Sequence, residues 1–242
     1  EFGFELSYGS FDDLLESVFQ STWNADVLKN GVTPKSFTIE KTFETGATDQ
    51  YHRYRGCMAN SFSLSIRAGE IVTGSMGFMA KDMVSAQAIV SGATYTAANT
   101  NPVINAANNF ADLAITGVTS PQITSLSLSI SNNLRQQPVV GSIYSKGVGS
   151  GRCVVTGEIE AYFENEELFE TYLNNEYTDL TFRLGGDTEF AYEFLMPKIK
   201  LSGGEVVTGG NDQDVMGRFQ FQALYDTSET ATLEITRIPE GV

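Results

Sequence analysis

The sequence predicts a mostly β protein with two short amphipathic helices, on three observations. Apolar residues alternate with serine, threonine or glycine along many short stretches. Helical spacing of apolar residues is confined to two segments, and one order of elements is written twice along the chain. Alternation puts residues two apart on the same sheet face, so each such stretch reads as a half-buried strand.

The elements follow in chain order. In "SFDDLLESVFQ", Phe11, Leu14, Leu15, Val18 and Phe19 recur at helical spacing over Ser10 to Gln20. Ser10 reads as the N-cap and Asp13 completes an S-x-x-D capping box. Ser36 to Phe43 and Tyr51 to Met58 read as strands joined by the polar turn Glu44 to Gln50. Phe62, Leu64 and Ile66 alternate with serines, and Val72, Gly74, Met76 and Phe78 continue the rhythm. Ala86 to Gln122 is rich in Ala, Asn, Thr and Ser and reads as a long irregular connection, which in a small protein is usually functional or bound to a neighbour. Leu126, Leu128 and Ile130 then alternate with Ser127, Ser129 and Ser131.

The second helix is read over Asn165 to Asn174 from Leu168, Phe169, Tyr172 and Leu173, with Asn165 as cap. Glu166 and Glu167 suit the positive end of its dipole. Strands follow at Thr181 to Leu184, Phe190 to Met196 and from Met216 to Phe219.

"IRAGEIVTG" at Ile66 to Gly74 nearly repeats as "LSGGEVVTG" at Leu201 to Gly209. With the strand-then-helix order also recurring, an internal duplication is expected, with halves at residues 1–110 and 111–242. Each phrase reads as a turn entering a long strand. Gly69 and Gly204 allow the bend, and Val72 and Val207 face the core.

Composition narrows the function. With 242 residues, 41% hydrophobic and 11% aromatic, the chain can bury a real core. No run approaches the roughly 18 to 20 apolar residues of a membrane span, so no membrane partner is expected. A formal charge of -15 has the wrong sign for gripping phosphates. Cys57 and Cys153 lack a CxxC spacing and read as free thiols.

Catalytic patterns do not emerge. His52 in "QYHRY" has no second His or Cys beside it and reads as a surface or interface residue. Asp12/Asp13 and Glu166/Glu167 are explained as helix N-terminal charges, and Glu158/Glu160 as the polar side of a strand. "NDQD" at Asn211 to Asp214 lacks the Gly and distal Glu of a calcium loop and reads as a hairpin turn. The glycines of "GVGSG", Gly147 to Gly151, precede no Lys-Ser/Thr helix and read as hinges. No catalytic, cofactor-binding or metal-binding residue is expected. Arg53 and Arg55 with Tyr51 and Tyr54 form the basic-aromatic cluster, expected to meet an acidic neighbouring subunit.

A β-rich chain without a reactive constellation suggests assembly, since edge strands must be paired or covered and closure across subunits does both. The stretches "FELSYGSFDDLLE" (Phe4 to Glu16), "SFTIEKTF" (Ser36 to Phe43), "YHRYRGCMANSFSLSI" (Tyr51 to Ile66) and "EIVTGSMGFMAK" (Glu70 to Lys81) together resemble the tail tube, or major tail, proteins of long-tailed bacteriophages. The resemblance implies a β-sandwich with flanking helices whose subunits form rings, which the duplication makes trimeric or hexameric, stacked into a tube in the virion. Its inner wall would be an inter-subunit β-barrel through which DNA is ejected into the host without specific binding. It further implies the tape measure protein and the tail terminator as partners. Glu44 to Gln50 and Ala86 to Gln122 are the segments that would reach an adjacent ring. The alternative is a non-enzymatic β-sandwich module that binds carbohydrate or acts as an adhesin.

Overall fold

The computed structural model describes residues 1–46, 48–86, 88–186 and 188–240. Its strands are β1 (Phe2–Glu5), β2 (Val27–Lys29), β3 (Phe37–Phe43), β4 (Gln50–Arg67), β5 (Thr73–Met79), β6 (Asp82–Ala86), β7 (Phe110–Ala114), β8 (Ile123–Ser131), β9 (Arg135–Gln136), β10 (Val148–Gly149), β11 (Val154–Tyr162), β12 (Tyr177–Gly185), β13 (Ala191–Val207), β14 (Met216–Ala223) and β15 (Glu234–Ile238). Two helices interrupt them, α1 (Asp12–Phe19) and α2 (Glu167–Leu173).

Thirteen of the strands form a single antiparallel sheet: nine follow the path β1-β5-β4-β8-β11-β14-β13-β12-β7, while β3 and β6 pair with β4, β15 with β13, and β2 with β15. The class is mostly β, as the alternation implies, but one continuous sheet takes the place of two separate ones. Two long strands make this possible by changing partners partway. The first part of β4 lies between β3 and β6, and its second part between β5 and β8. Likewise β13 begins between β12 and β15 and ends against β14. A bulge marks each change, between Ala59 and Ser61 and between Leu201 and Gly203, because an extra residue re-aims a strand without ending it.

Burial of alternate residues drives the packing. Phe62, Leu64, Met76, Leu126, Leu128, Ile159, Phe219 and Phe221 project from one face, and Leu180, Phe182, Phe194, Met196 and Ile235 from β12, β15 and the part of β13 before its bulge. All belong to one hydrophobic cluster, with Phe182 stacked on Phe194 at 5.0 Å. Helix α1 closes its side through Leu15, Val18 and Phe19.

Polar groups pin α1 where its apolar stripe alone would let it slide. The Ser17 hydroxyl donates to the Lys35 carbonyl at 2.8 Å and accepts the Ala59 amide at 3.0 Å. Buried Glu16 accepts the Trp23 amide at 2.9 Å and pairs with Lys35. At the far end of the helix, Asp12 accepts from the Tyr192 hydroxyl and from Arg237, whose guanidinium lies over the Trp23 ring at 4.3 Å. Tyr192 is buried, and burial, then the Asp12 charge, raises its hydroxyl pKa far above the ordinary tyrosine value.

Three local expectations are corrected. Helix α1 starts two residues after Ser10, with Phe11 at the cap position and no side-chain cap; the Ser10 hydroxyl is instead engaged with Ser7 at 2.5 Å. Glu166 takes the α2 cap position without a side-chain bond, although Asn165 still accepts the Glu167 amide at 3.1 Å. The repeated phrase does not occupy equivalent places. Ala68 to Glu70 form a turn with Gly69 at a φ of 79°, and Val72 is fully buried. Gly203 to Val207 instead continue inside β13, Val207 is only half-buried, and the turn comes after Val207. Gly204 is required for close approach, since a Cβ there would sit 2.9 Å from the Tyr172 ring and 3.0 Å from Phe219.

Candidate assembly surfaces

The seven strands β1, β5, β4, β8, β11, β14 and the second part of β13 share a register that carries every core residue to one face. The other face is polar along its three central rows, with Val154 at one end and Tyr162, Met216 and Val207 at the other. One row runs Glu5, Thr73, Ser65, Ser127, Glu158, Gln220, Gly203, and the next runs Gly3, Ser75, Ser63, Ser129, Thr156, Gln222, Lys200. A third carries Arg67, Ser125, Glu160, Arg218 and Glu205. Serine and threonine crowd this wall because the β-branched or short hydroxyl side chain suits an extended backbone while keeping that side wet. Arg218 is paired with Glu160 at 2.8 Å, with Glu205 directly opposite it on β13.

Both lateral limits of the wall are open. Among the described residues β1 pairs only with β5, and after Leu201 the strand β13 pairs only with β14. Beside that second edge lies an open depression of about 420 Å³ lined by Glu158, Tyr172, Gly203, Gly204, Glu205, Arg218 and Gln220.

Two hairpin features project from the sheet. The first is the flap of β3, β6 and the first part of β4. Here His52 sits edge-on to Phe43 at 4.8 Å, and Arg53 pairs with Glu40, which also accepts from Tyr95 at 3.2 Å. Arg55 pairs with Asp82 at 2.6 Å. The basic-aromatic cluster is therefore neutralised by its own chain, and no acidic neighbour is needed to hold it. The second is the β9–β10 hairpin, Arg135 to Gly149, whose tip exposes Val139, Val140, Ile143 and Tyr144.

The root of that hairpin is firmly built. Buried Asn132 donates its amide to the Val18 carbonyl at 2.8 Å and the Ala59 carbonyl at 3.0 Å. Asn60 accepts the Leu134 amide at 2.8 Å through its side chain. No spacing rule marks Asn132, because its partners lie in α1 and β4, far away in sequence.

The remaining sequence candidates are accounted for structurally. Asp12 joins Tyr192 and Arg237, and Glu167 accepts the Thr119 amide at 2.6 Å. Glu158 and Glu160 stand on the polar wall. Asn211 to Asp214 form an exposed turn, and among the described residues no three His, Cys, Asp or Glu side chains gather. Cys57 and Cys153 are free, and burial pushes both thiols up in pKa. The connection between β6 and β7 is mostly exposed, tied down by buried Ile104, whose amide donates to the Leu6 carbonyl at 2.8 Å. No helix among the described residues is long and apolar enough to cross a membrane.

Open strand edges, projecting hairpins and a hydroxyl-covered wall define a structural subunit. The model of the phage tail tube protein family matches residues 1–223, and the chain belongs to that family. It is a non-enzymatic structural protein of the virion tail. No curated protein matches it.

Proposed function

We propose that copies of this chain close side by side into rings, that the rings stack into the tail tube, and that the seven-stranded wall faces the lumen through which DNA is ejected. The observation that carries this reading is the wall itself: one face with three polar rows across it, the other packed into the core, and both edges open. An open edge of paired length is a template for another strand, and closure between β1 of one copy and the Ser202 to Val207 edge of the next would leave none exposed.

Strand counting favours three copies per ring over six. Three copies give twenty-one strands in the wall. At about 4.8 Å between strands and a tilt near 40°, these form a barrel about 40 Å across the backbone. Six copies would double that and leave a wide gap around a DNA duplex. The duplicated halves, 1–110 and 111–242, are supported by topology rather than by the repeated phrase. Apart from the short β2, which has no counterpart, β1-α1-β3-β4-β5 and β11-α2-β12-β13-β14 have the same order, and in each the first strand pairs antiparallel with the last.

The wall would let DNA slide because it offers few free cations. Hydroxyls dominate it, Arg218 is held by Glu160, Lys200 lies 5.3 Å over the Tyr177 ring, and Arg67 stands exposed at the end of its row. With little phosphate neutralisation, little counterion release would hold the duplex in place. The tape measure protein and the tail terminator would contact the ends of such a tube.

Electron microscopy of the concentrated protein tests the assembly. Rings with an open centre, alone or in stacks, are expected; compact monomers at every concentration and ionic strength would overturn it.

A further inference from the structure

The negative charge is unevenly placed. From Leu113 to Gly157 the chain has no Asp or Glu and three bases, Arg135, Lys146 and Arg152. From Glu158 to Phe182 it has eight acids and no base. β11 lies between these stretches, and its course separates them in space. The β9–β10 hairpin leaves the sheet at the Ser131/Val154 end, whereas the start of α2 and the Asn211 to Asp214 turn sit at the Tyr162 end, from which α2 runs back along β13 toward Tyr177. Nine strand residues put the two ends about 26 to 30 Å apart.

Each end also exposes apolar surface. Val140 and Ile143 at the hairpin tip are 107% and 91% exposed, with Arg135 and Lys146 on the stem below. At the other end Tyr162 and Val215 are exposed, with exposed Glu164, Glu166, Asp212 and Asp214 on the adjoining segments. Among the described residues, Arg135, Lys146 and Arg152 form no ion pair within the chain. An apolar centre with a charged rim is the pattern of a specific protein contact, and opposite rims steer the encounter.

We infer that the Arg135 to Gly149 hairpin of one copy docks on the acidic α2 end of a second copy, forming the axial contact between stacked rings. The partner is this same chain because its own opposite end supplies the complementary charge and the apolar target. Two different patches at opposite ends make a heterologous contact, which propagates without closing. The rooted base and projecting tip suit this role: Asn132 and Asn60 fix the hairpin's direction while its apolar residues stay free. The inference rests on the ring reading above and names the surface by which rings stack.

Two measurements on the full chain test it. In electron microscopy, V140D/I143D and, separately, R135E/K146E are expected to keep single rings and lose tubes. Adding E166K/E170K to R135E/K146E is expected to restore them. Independently of rings, a V140C copy mixed with a differently tagged E166C copy is expected to give a disulfide-linked heterodimer under mild oxidation, at a yield at least tenfold above V140C mixed with the parent chain. Tubes that persist in both hairpin variants, or a cross-link yield no higher than that control, overturn the axial contact while leaving the rings intact. If no rings form at all, the lateral reading fails and the cross-link alone decides the contact.

Discussion

Asn132 is the sharpest test of how the hairpin is rooted. It is 2% exposed, and its side-chain amide serves two carbonyls, Val18 near the end of α1 and Ala59 at the β4 bulge. Asn132→Ala removes both bonds and takes their donor from two carbonyls beside a buried side chain. A buried polar group stripped of its partner costs about 1 to 3 kcal/mol, so the expected loss is about 2 to 5 kcal/mol. For a chain of this size each kcal/mol lowers Tm by about 2 to 4 °C, giving a drop of about 5 to 15 °C in calorimetry. Asn132→Asp keeps the shape and reverses the chemistry, turning an acceptor toward both carbonyls, and is expected to destabilise at least as much. An Asp variant melting within 1 °C of the parent would refute the hydrogen-bond account, since shape would then be all that matters.

Two further outcomes follow from the core. A Cβ at Gly157 would lie 2.2 Å from the Ser127 carbonyl oxygen and 2.4 Å from the Phe221 ring, so Gly157→Ala is expected to cost about 1 to 3 kcal/mol in urea unfolding, against at most about 1 kcal/mol gained from a stiffer unfolded chain; an unchanged midpoint would contradict that packing. Tyr192 keeps its proton in the folded protein above the ordinary value of 10, while the unfolded chain releases it there. Its contribution is therefore complete below about pH 10 and lost as pH rises beyond it, by up to about 1.4 kcal/mol per pH unit. Tyr192→Phe is expected to flatten the alkaline fall in stability; parallel pH profiles for the two proteins would show that the burial of this hydroxyl does not matter. Some slope persists because burial also raises Tyr8.

What the sequence reveals is what local chemistry controls. The alternation through Phe62 to Ile66 and Leu126 to Ile130 marks strands because a sheet with one wet face imposes it directly, and the stripe Leu14, Leu15, Val18, Phe19 marks α1 for the same reason. Strand continuity is hidden: Tyr51 to Met58 and Phe62 to Ile66 are one strand, since the bulge between them disturbs the rhythm without ending the ladder. The repeated phrase misleads because a Gly-Glu-Val-Val stretch can serve as a turn or as an extended edge, and neighbours decide which. The assembly surfaces are the least legible. Open edges are a property of sheet order, and the separation of basic and acidic ends follows from β11 running between them, which composition alone cannot show.

The partner exchange of β4 and β13 has a mechanical side. Each of these long strands begins in an outlying layer and ends in the polar wall, so a pull on the flap travels along covalent backbone into that wall instead of across a seam of side chains. A tube made of such subunits would bend by sliding at contacts between copies before any layer peeled away within one. The bulges at Ala59 to Ser61 and Leu201 to Gly203 then act as built-in elbows: they set the angle between layers while leaving the load path unbroken.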